Sequence, residues 1–364
     1  MAANKKFEKL GVNPNYVDYD ADENQTPKKK KVNKYSFRKT VPKKLREKVY
    51  EVGFIKVYIA FIACFILSVF NGVITQEGFY DSFSVPYNFV AKSVAYLIIF
   101  VVPALIYCKV YGKGGWTLLG VRRFSFSYTA FIVLGLVLMT LVIAAEKFAL
   151  AYYFYAGISE TQVSLVGSNN VIGIIITQAL VPAVCEELML RGILQNEISA
   201  KAGGFTGILI SALAFSLIHL NAEYFIIYFS SGLILAITMH VCGSVIPCIV
   251  IHALNNLFSL CFSKQLTFVA SERAGNVLVL IILTICIFIT GLFWLKSLEL
   301  ICIKKSASVE IADKEKGENT HIKFFTTPYK MSSDTGYSLH KFLRVVFSPV
   351  IIISVIIFLF VTLM

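Results

Sequence analysis

Nine long apolar runs follow one another along this chain of 364 residues, and they restrict its fold more than any other feature. A helix needs about 20 mostly apolar residues to cross the hydrocarbon core of a membrane. The chain is 57% hydrophobic and only 15% charged, whereas soluble domains carry about 25% charged residues. We therefore predict an all-α, polytopic transmembrane helix bundle of about nine helices, within a range of eight to ten. The runs lie near residues 55–75, 89–108, 127–148, 172–195, 205–220, 224–241, 244–262, 277–300 and 343–363.

The net charge of +12 arises mainly from two basic segments, a tail before the first run and the stretch 301–342. Basic residues beside membrane helices stay on the cytoplasmic side, where they also meet anionic lipid headgroups. We expect the N-terminus in the cytoplasm, the protein in the cell membrane, and no nucleic-acid partner. Nine crossings then place the C-terminus outside. The loop with Lys264 and Arg273 is the exception, because this count puts it outside as well.

Composition also divides the chain into segments. The eight cysteines lie in or beside the runs and form no CxxC pair, which favours small core residues over disulfides or a metal site. The predicted segments are a flexible basic cytoplasmic tail (1–50), N-terminal transmembrane helices (51–165), a catalytic helix core (166–264), an additional transmembrane helix (265–300), a cytoplasmic basic segment (301–342) and a C-terminal transmembrane helix (343–364).

Several ionisable and amide side chains interrupt the fourth, fifth and seventh runs. A charged side chain at the centre of a membrane helix costs at least about 2.5 to 3.5 kcal/mol, so such residues usually face the interior of a bundle and have a function. A convergence of them on neighbouring runs predicts a polar site within the membrane. The candidates are Glu186, Glu187 and Arg191 in the fourth run, His219 in the fifth, and His252 and Asn256 in the seventh.

Helical spacing separates the roles of these residues. Glu187 and Arg191 are four residues apart, so they share a helix face and can neutralise each other. A structural ion pair is the favoured interpretation for them. Glu186 points about 100° away and is the freer carboxylate, which suits a general base. His252 and Asn256 also share a face, from which both side chains can donate hydrogen bonds to a developing oxyanion.

Two neighbours of these candidates are also informative. Phe215 lies one turn before His219 and is predicted to shield the imidazole from lipid. Pro182 lies one turn before Glu186, where it is predicted to loosen the fourth helix.

Several known classes of membrane protein with polar residues inside the bilayer do not fit this sequence. An aspartyl protease needs two membrane aspartates, but Asp81 is the only aspartate between the first and eighth runs. The HExxH motif of site-two metalloproteases is missing. The rhomboid motif GxSG is missing too, because residues 229–232 are FSSG. A transporter usually has polar residues in two related halves of the chain, whereas this cluster occupies one half.

The order EExxxR, FxxxH and HxxxN on successive helices resembles the CAAX protease and bacteriocin-processing family (CPBP, or Abi). Here the first motif comprises Glu186, Glu187 and Arg191, the second Phe215 and His219, and the third His252 and Asn256. The resemblance covers about residues 170–262, a quarter of the chain. Each motif alone is weak, but the three in this order are specific.

This resemblance implies an intramembrane endopeptidase that acts on a membrane-associated peptide or protein. Glu186 and His219 would activate the attacking water, and His252 with Asn256 would stabilise the oxyanion. Members of the family have been described both as metal-dependent and as metal-free. Zinc bound by Glu186, His219 and His252 is one expectation, and chemistry without a cofactor is the preferred one, because an HExxH pair is missing. The alternative function is a catalytically idle scaffold or bacteriocin-immunity protein of the same fold.

Overall fold

A computed structural model describes residues 43–84, 87–111, 119–154, 170–271, 273–316 and 339–363 of the chain. Side chains are described for residues 56–84, 87–110, 119–150, 170–262, 277–303 and 339–363. Within these ranges the regular elements are all helical, which confirms the predicted all-α class. Residues 1–42 of the basic tail and 317–338 of the cytoplasmic segment lie outside the described residues.

The N-terminal part of the chain forms three stretches of helix. The second stretch changes from α to π geometry at Leu97–Val101 and back again. A short 3-10 turn at Phe79–Ser82 joins the first two stretches. The α-helices are α1 (Lys43–Gln76), α2 (Tyr87–Tyr96), α3 (Val102–Tyr111) and α4 (Thr129–Phe154).

The part of the chain that carries the candidate motifs contains a long interrupted helix followed by three further helices. The long helix runs from Val171 to Ala202 and contains two π-helical segments, Ile175–Leu180 and Leu188–Gln195. One more helix and a bent pair complete the described part of the chain. The α-helices are α5 (Val171–Ile174), α6 (Val181–Glu187), α7 (Asn196–Ala202), α8 (Gly204–Ile218), α9 (Phe225–Cys242), α10 (Val245–Ser271), α11 (Arg273–Lys316), α12 (Leu339–Val346) and α13 (Pro349–Leu363).

Seven of the described helical stretches are long and apolar enough to cross a membrane. The pair α12 and α13, bent by 45°, gives an eighth if it is one span. Helix α8 is apolar but has only 15 residues. Each of the nine predicted runs coincides with one of these elements, so the polytopic bundle is confirmed and the chain is an integral membrane protein.

Two helices extend beyond their predicted ends. Helix α1 begins at Lys43, inside the tail predicted to be flexible, and α11 continues to Lys316, inside the predicted cytoplasmic segment. Both extensions are rich in Lys and Glu, which are good helix formers and need no apolar neighbours. Hydropathy identifies the apolar part of a helix and does not predict how far its polar ends extend.

Pro182 lies between the two π-helical segments, at the start of α6. A proline inside a helix lacks an N–H donor and crowds the preceding turn. A wider π turn before it relieves that crowding, and single π turns are frequent at functional sites. The predicted loosening of the fourth helix therefore takes the form of a local change in helix type, and the span stays continuous.

Helices α8 and α9 approach each other closely. Gly232 of α9 faces α8, since a Cβ atom added to it would lie 3.0 Å from the Cα atom of Ala212. Small residues allow membrane helices to approach at backbone contact, where van der Waals packing holds them together. This close approach brings the C-terminal end of α8 and the N-terminal half of α9 to the same part of the bundle.

Candidate active site

Two adjacent carboxylates lie at the C-terminal end of α6, and both are buried. Glu187 and Arg191 are fully enclosed, and Arg191 Nη1 donates to Glu187 Oε1 over 2.8 Å. Arg191 Nη2 also donates to the carbonyl of Gly232 on α9 over 3.2 Å. The predicted ion pair is therefore present, and it fastens the fourth span to α9. Pairing and additional hydrogen bonds offset the desolvation cost of charges that are buried away from water.

Glu187 also binds a residue of α10. Its Oε1 atom lies 2.9 Å from Nδ1 of His252, which is 4% exposed. Because an ionised carboxylate only accepts hydrogen bonds, Nδ1 of His252 is the donor in this contact. The other nitrogen, Nε2, is left for a further partner. Glu187 thus orients the imidazole that the sequence assigned to the oxyanion.

His219 is the residue that ends α8. Its Nδ1 atom lies 2.6 Å from the carbonyl oxygen of Phe215, one turn earlier. A carbonyl only accepts, so Nδ1 carries the proton and Nε2 of the neutral ring is a hydrogen-bond acceptor. That Nε2 lies 3.9 Å from Oε2 of Glu186. The structure therefore brings the freer carboxylate and the first histidine face to face, beyond the reach of a direct hydrogen bond.

Oε2 of Glu186 is buried and accepts no hydrogen bond from the described residues. Glu186 itself is only 4% exposed. Burying an acceptor without a partner is costly, and a catalytic role is one of the reasons for which native structures keep such a group. The unsatisfied oxygen is the one that faces His219.

Phe215 lies at the centre of the cluster. Its ring centroid is 4.6 Å from that of His219 and 5.6 Å from that of His252, which it meets edge-on. The guanidinium carbon of Arg191 lies 4.6 Å above the same ring, a cation–π contact. The predicted contact with His219 is present, and the same buried ring also contacts His252 and Arg191. Its role as a shield against lipid stays a prediction.

Two consecutive asparagines on α10 have different surroundings. Asn255 is buried, and its Oδ1 accepts a hydrogen bond from Thr140 of α4 over 3.3 Å. Asn256 is half-buried and lies one turn beyond His252 on the same helix face. The oxyanion role of Asn256 remains a prediction from this spacing.

Two features of the site were not predicted from the sequence. Tyr228 of α9 stacks on His219, with ring centroids 3.8 Å apart. Leu220, directly after His219, has a positive φ of 49°, which is strained for a leucine. A tyrosine in an apolar run and a leucine in a turn carry no distinctive pattern, so sequence spacing offered no signal for either.

The candidate zinc ligands do not form one group. Within the described residues, no set of three or more His, Cys, Asp and Glu side chains is arranged to hold a metal ion. His219 faces Glu186, whereas His252 turns its Nδ1 to Glu187. The residues present therefore do not fit a three-ligand zinc centre, and no step below uses a metal.

The apolar runs alone predict different depths in the membrane for the two histidines. At 1.5 Å per residue, His252 lies about 12 Å and His219 about 21 Å from the predicted cytoplasmic ends. The direct contacts above remove the mismatch, because Glu186 and Glu187 are neighbours and each reaches one histidine. Helix α10 begins within the protein, where its first N–H, that of Val245, binds the carbonyl of Gly120 over 2.9 Å.

Comparison with known proteins gives one match. Residues 168–258 match a family model described as "Type II CAAX prenyl endopeptidase Rce1-like". No curated protein and no solved structure matches the chain. The matched range contains all six candidate site residues and covers about a quarter of the chain. The resemblance of this region to the CAAX proteases, a family of membrane endopeptidases, is therefore confirmed.

Proposed function

We propose that the chain is an intramembrane endopeptidase that hydrolyses a membrane-associated peptide or protein by using Glu186 and His219 to activate water. The observation that carries this proposal is the 3.9 Å separation between Oε2 of Glu186 and Nε2 of His219. Both atoms are acceptors, so one water molecule between them donates a hydrogen to each. The lone pairs of that water then point away from both groups and toward a substrate carbonyl.

In the first step the water oxygen bonds to the scissile carbonyl carbon, and one water proton passes to Glu186. The carbonyl oxygen takes up the electron pair of the broken π bond and becomes an oxyanion. In the second step the C–N bond breaks, and Glu186 returns the proton to the leaving nitrogen. General acid–base catalysis of this kind typically contributes about 10² to 10⁴ in rate. His219 holds the water through its second hydrogen.

His252 and Asn256 supply the oxyanion donors in this proposal. Nδ1 of His252 already donates to Glu187, so its Nε2 is a donor only when the ring is an imidazolium ion. Oε1 of Glu187 lies 2.9 Å from Nδ1 of that ring and 2.8 Å from Nη1 of Arg191. The side-chain amide of Asn256, one turn further along α10, adds a second donor.

The catalytic groups act here without a metal or other cofactor. The substrate is a membrane-associated peptide or protein, because Glu186 lies near the middle of the span Val171–Ala202. The N-terminus lies in the cytoplasm, and the basic tail contacts anionic headgroups of the cell membrane. The family description suggests prenylated peptides as the first substrates to test.

The test uses purified protein in lipid nanodiscs and two quenched fluorogenic peptides. One carries a farnesylated cysteine followed by two aliphatic residues and a terminal Met, and the other is an equally long hydrophobic peptide without the prenyl group. We expect the wild type to cleave at least one of them and Glu186→Gln to lose about 100-fold or more in kcat. Glu299→Gln is the matched control, because Glu299 forms an exposed pair with Lys296.

Two outcomes would contradict the proposal. The first is a Glu186→Gln protein that cleaves as fast as the wild type. The second is a wild type that cleaves neither peptide, together with cells in which Glu186→Gln causes no membrane peptide to accumulate. The second outcome favours the idle scaffold or immunity protein of the same fold.

A further inference from the structure

Tyr228 makes the closest ring contact of the candidate site. Its ring centroid lies 3.8 Å from that of His219, and the two planes differ by only 22°. This is a parallel stack, in which the phenol ring covers one face of the imidazole. Tyr228 belongs to none of the three motifs that identify the site.

His219 needs such a contact because its own helix ends there. The following residue, Leu220, has a φ of 49°, so the chain leaves the helical path directly after His219. Within the side chain, Nδ1 is held by the carbonyl of Phe215 at 2.6 Å. One hydrogen bond at Nδ1 restrains the ring at a single atom, and rotations about the Cα–Cβ and Cβ–Cγ bonds can still tilt its plane.

A pivot of this ring would move the atom that matters for catalysis. Nε2 is the ring atom that lies 3.9 Å from Oε2 of Glu186, so a tilt of the ring changes its position relative to that carboxylate. Its position relative to Glu186 sets whether one water reaches both groups, and a misplacement of about 1 Å can cost about 10²-fold in rate. Phe215 contacts the imidazole at a tilt of 52°, which limits the pivot less than a parallel face does.

We propose that Tyr228 is a positioning residue that fixes the plane of His219 so that Nε2 faces Glu186. This inference rests on the proposed function of Glu186 and His219. The contact that orients the imidazole is the face of the Tyr228 ring, and its hydroxyl takes no part in the stack. Phenylalanine at this position therefore suffices, whereas an aliphatic side chain does not.

The kinetic test compares Tyr228→Phe and Tyr228→Leu in nanodiscs with the two fluorogenic peptides. We expect Tyr228→Phe to keep kcat within about threefold, and Tyr228→Leu to lose about 10- to 100-fold in kcat with little change in KM. Phe229→Leu is the matched control, because it removes a partly buried ring from the next position of α9. That control keeps its kcat. Equal loss in Tyr228→Phe and Tyr228→Leu would overturn the inference and assign the role to the hydroxyl.

A second measurement needs no substrate. In protein labelled with ¹³C and ¹⁵N at histidine, the ring protons of His219 resonate upfield because the stacked phenol shields them. The signals are assigned by their loss in His219→Gln. We expect the upfield shift to persist in Tyr228→Phe and to vanish in Tyr228→Leu, while Phe229→Leu leaves it unchanged. A His219 spectrum that is the same in all three variants would overturn the inference.

The kinetic and the NMR measurements together separate this inference from the proposed function. If the wild type cleaves and Glu186→Gln does not, the function stands and the Tyr228 variants test the positioning role alone. If nothing is cleaved, the function fails, and the His219 spectra decide whether Tyr228 fixes the imidazole.

Discussion

Oε1 of Glu187 accepts a hydrogen bond from His252 over 2.9 Å and, from the other side, one from Arg191 over 2.8 Å. A single carboxylate oxygen thus joins the fourth span to α10. Because Arg191 also reaches the carbonyl of Gly232 on α9, three helices meet at this buried carboxylate. Glu186, its neighbour in sequence, faces His219 and has no part in this network. The two consecutive glutamates therefore divide structural support and chemistry between them.

This division predicts opposite effects of the same substitution at adjacent positions. Glu187→Gln leaves the charge of Arg191 buried without a counterion, and breaking a buried pair in this way costs about 3 to 5 kcal/mol. Glu186→Gln removes a carboxylate whose Oε2 accepts no hydrogen bond from the described residues, so the free energy of unfolding stays within about 1 kcal/mol of the wild-type value or rises. The free energy of unfolding of both variants is measured by denaturant titration in mixed micelles. Equal loss of stability in both would contradict the division.

A second prediction concerns Gly192, which follows Arg191. A Cβ atom at this position would lie 2.7 Å from the carbonyl oxygen of Leu119, so the backbone of that loop has to move. The same loop holds the start of α10, because Gly120 accepts from Val245. We expect Gly192→Ala to cost about 1 to 3 kcal/mol, as overpacking does, and to lower kcat through His252.

Gly291→Ala is the control for this prediction. A Cβ atom at Gly291 of α11 meets nothing within 4 Å. Alanine is the better helix former by about 1 kcal/mol, so this variant keeps or gains stability. Thermal unfolding and peptide cleavage are measured on both glycine variants. A Gly192→Ala protein as stable and active as Gly291→Ala would show that the loop does not constrain α10.

The sequence predicted the helices well, because each membrane helix carries its own signal in its apolar length. The Glu187–Arg191 pair was predictable for a similar reason, since four-residue spacing places two side chains on one face. The contact of Glu187 with His252 depends on how two separate helices pack, and spacing within either helix says nothing about it. The π-helical segments beside Pro182 were also missed, because a local change of helix type leaves hydropathy unaltered.

A third prediction concerns topology. Helices α8 and α9 are antiparallel neighbours joined by a short turn, so together they return the chain to the side where α8 begins. If the N-terminus is inside and the bent pair α12 and α13 is one span, we expect the C-terminus outside, whether or not α8 and α9 cross the whole membrane. Alkaline phosphatase fused after Phe83 or after Leu363 should be active, and a fusion after Ser125 should be inactive. The reverse pattern would place the basic tail outside and contradict the assignment.

The final prediction separates the two asparagines of α10. Asn255 accepts a hydrogen bond from Thr140 over 3.3 Å and is buried against α4. Such interhelical hydrogen bonds in membranes contribute about 0.6 kcal/mol on average, so Asn255→Ala should lower stability slightly and leave kcat near the wild-type value. Asn256→Ala should instead lower kcat by about 100- to 1,000-fold, the usual loss of one oxyanion donor, with KM nearly unchanged.

Thr140→Val is the companion variant to Asn255→Ala, because it removes the other half of the same hydrogen bond. If Asn255 acts only through Thr140, the double variant should be no less stable than the less stable single one. Denaturation and cleavage of the fluorogenic peptides are measured on all four proteins. An Asn256→Ala protein with full kcat, or a large kcat loss in Asn255→Ala, would contradict the assignment of Asn256 as an oxyanion donor. His252 would then be left as the one oxyanion donor of the proposal, through the nitrogen that Glu187 does not hold.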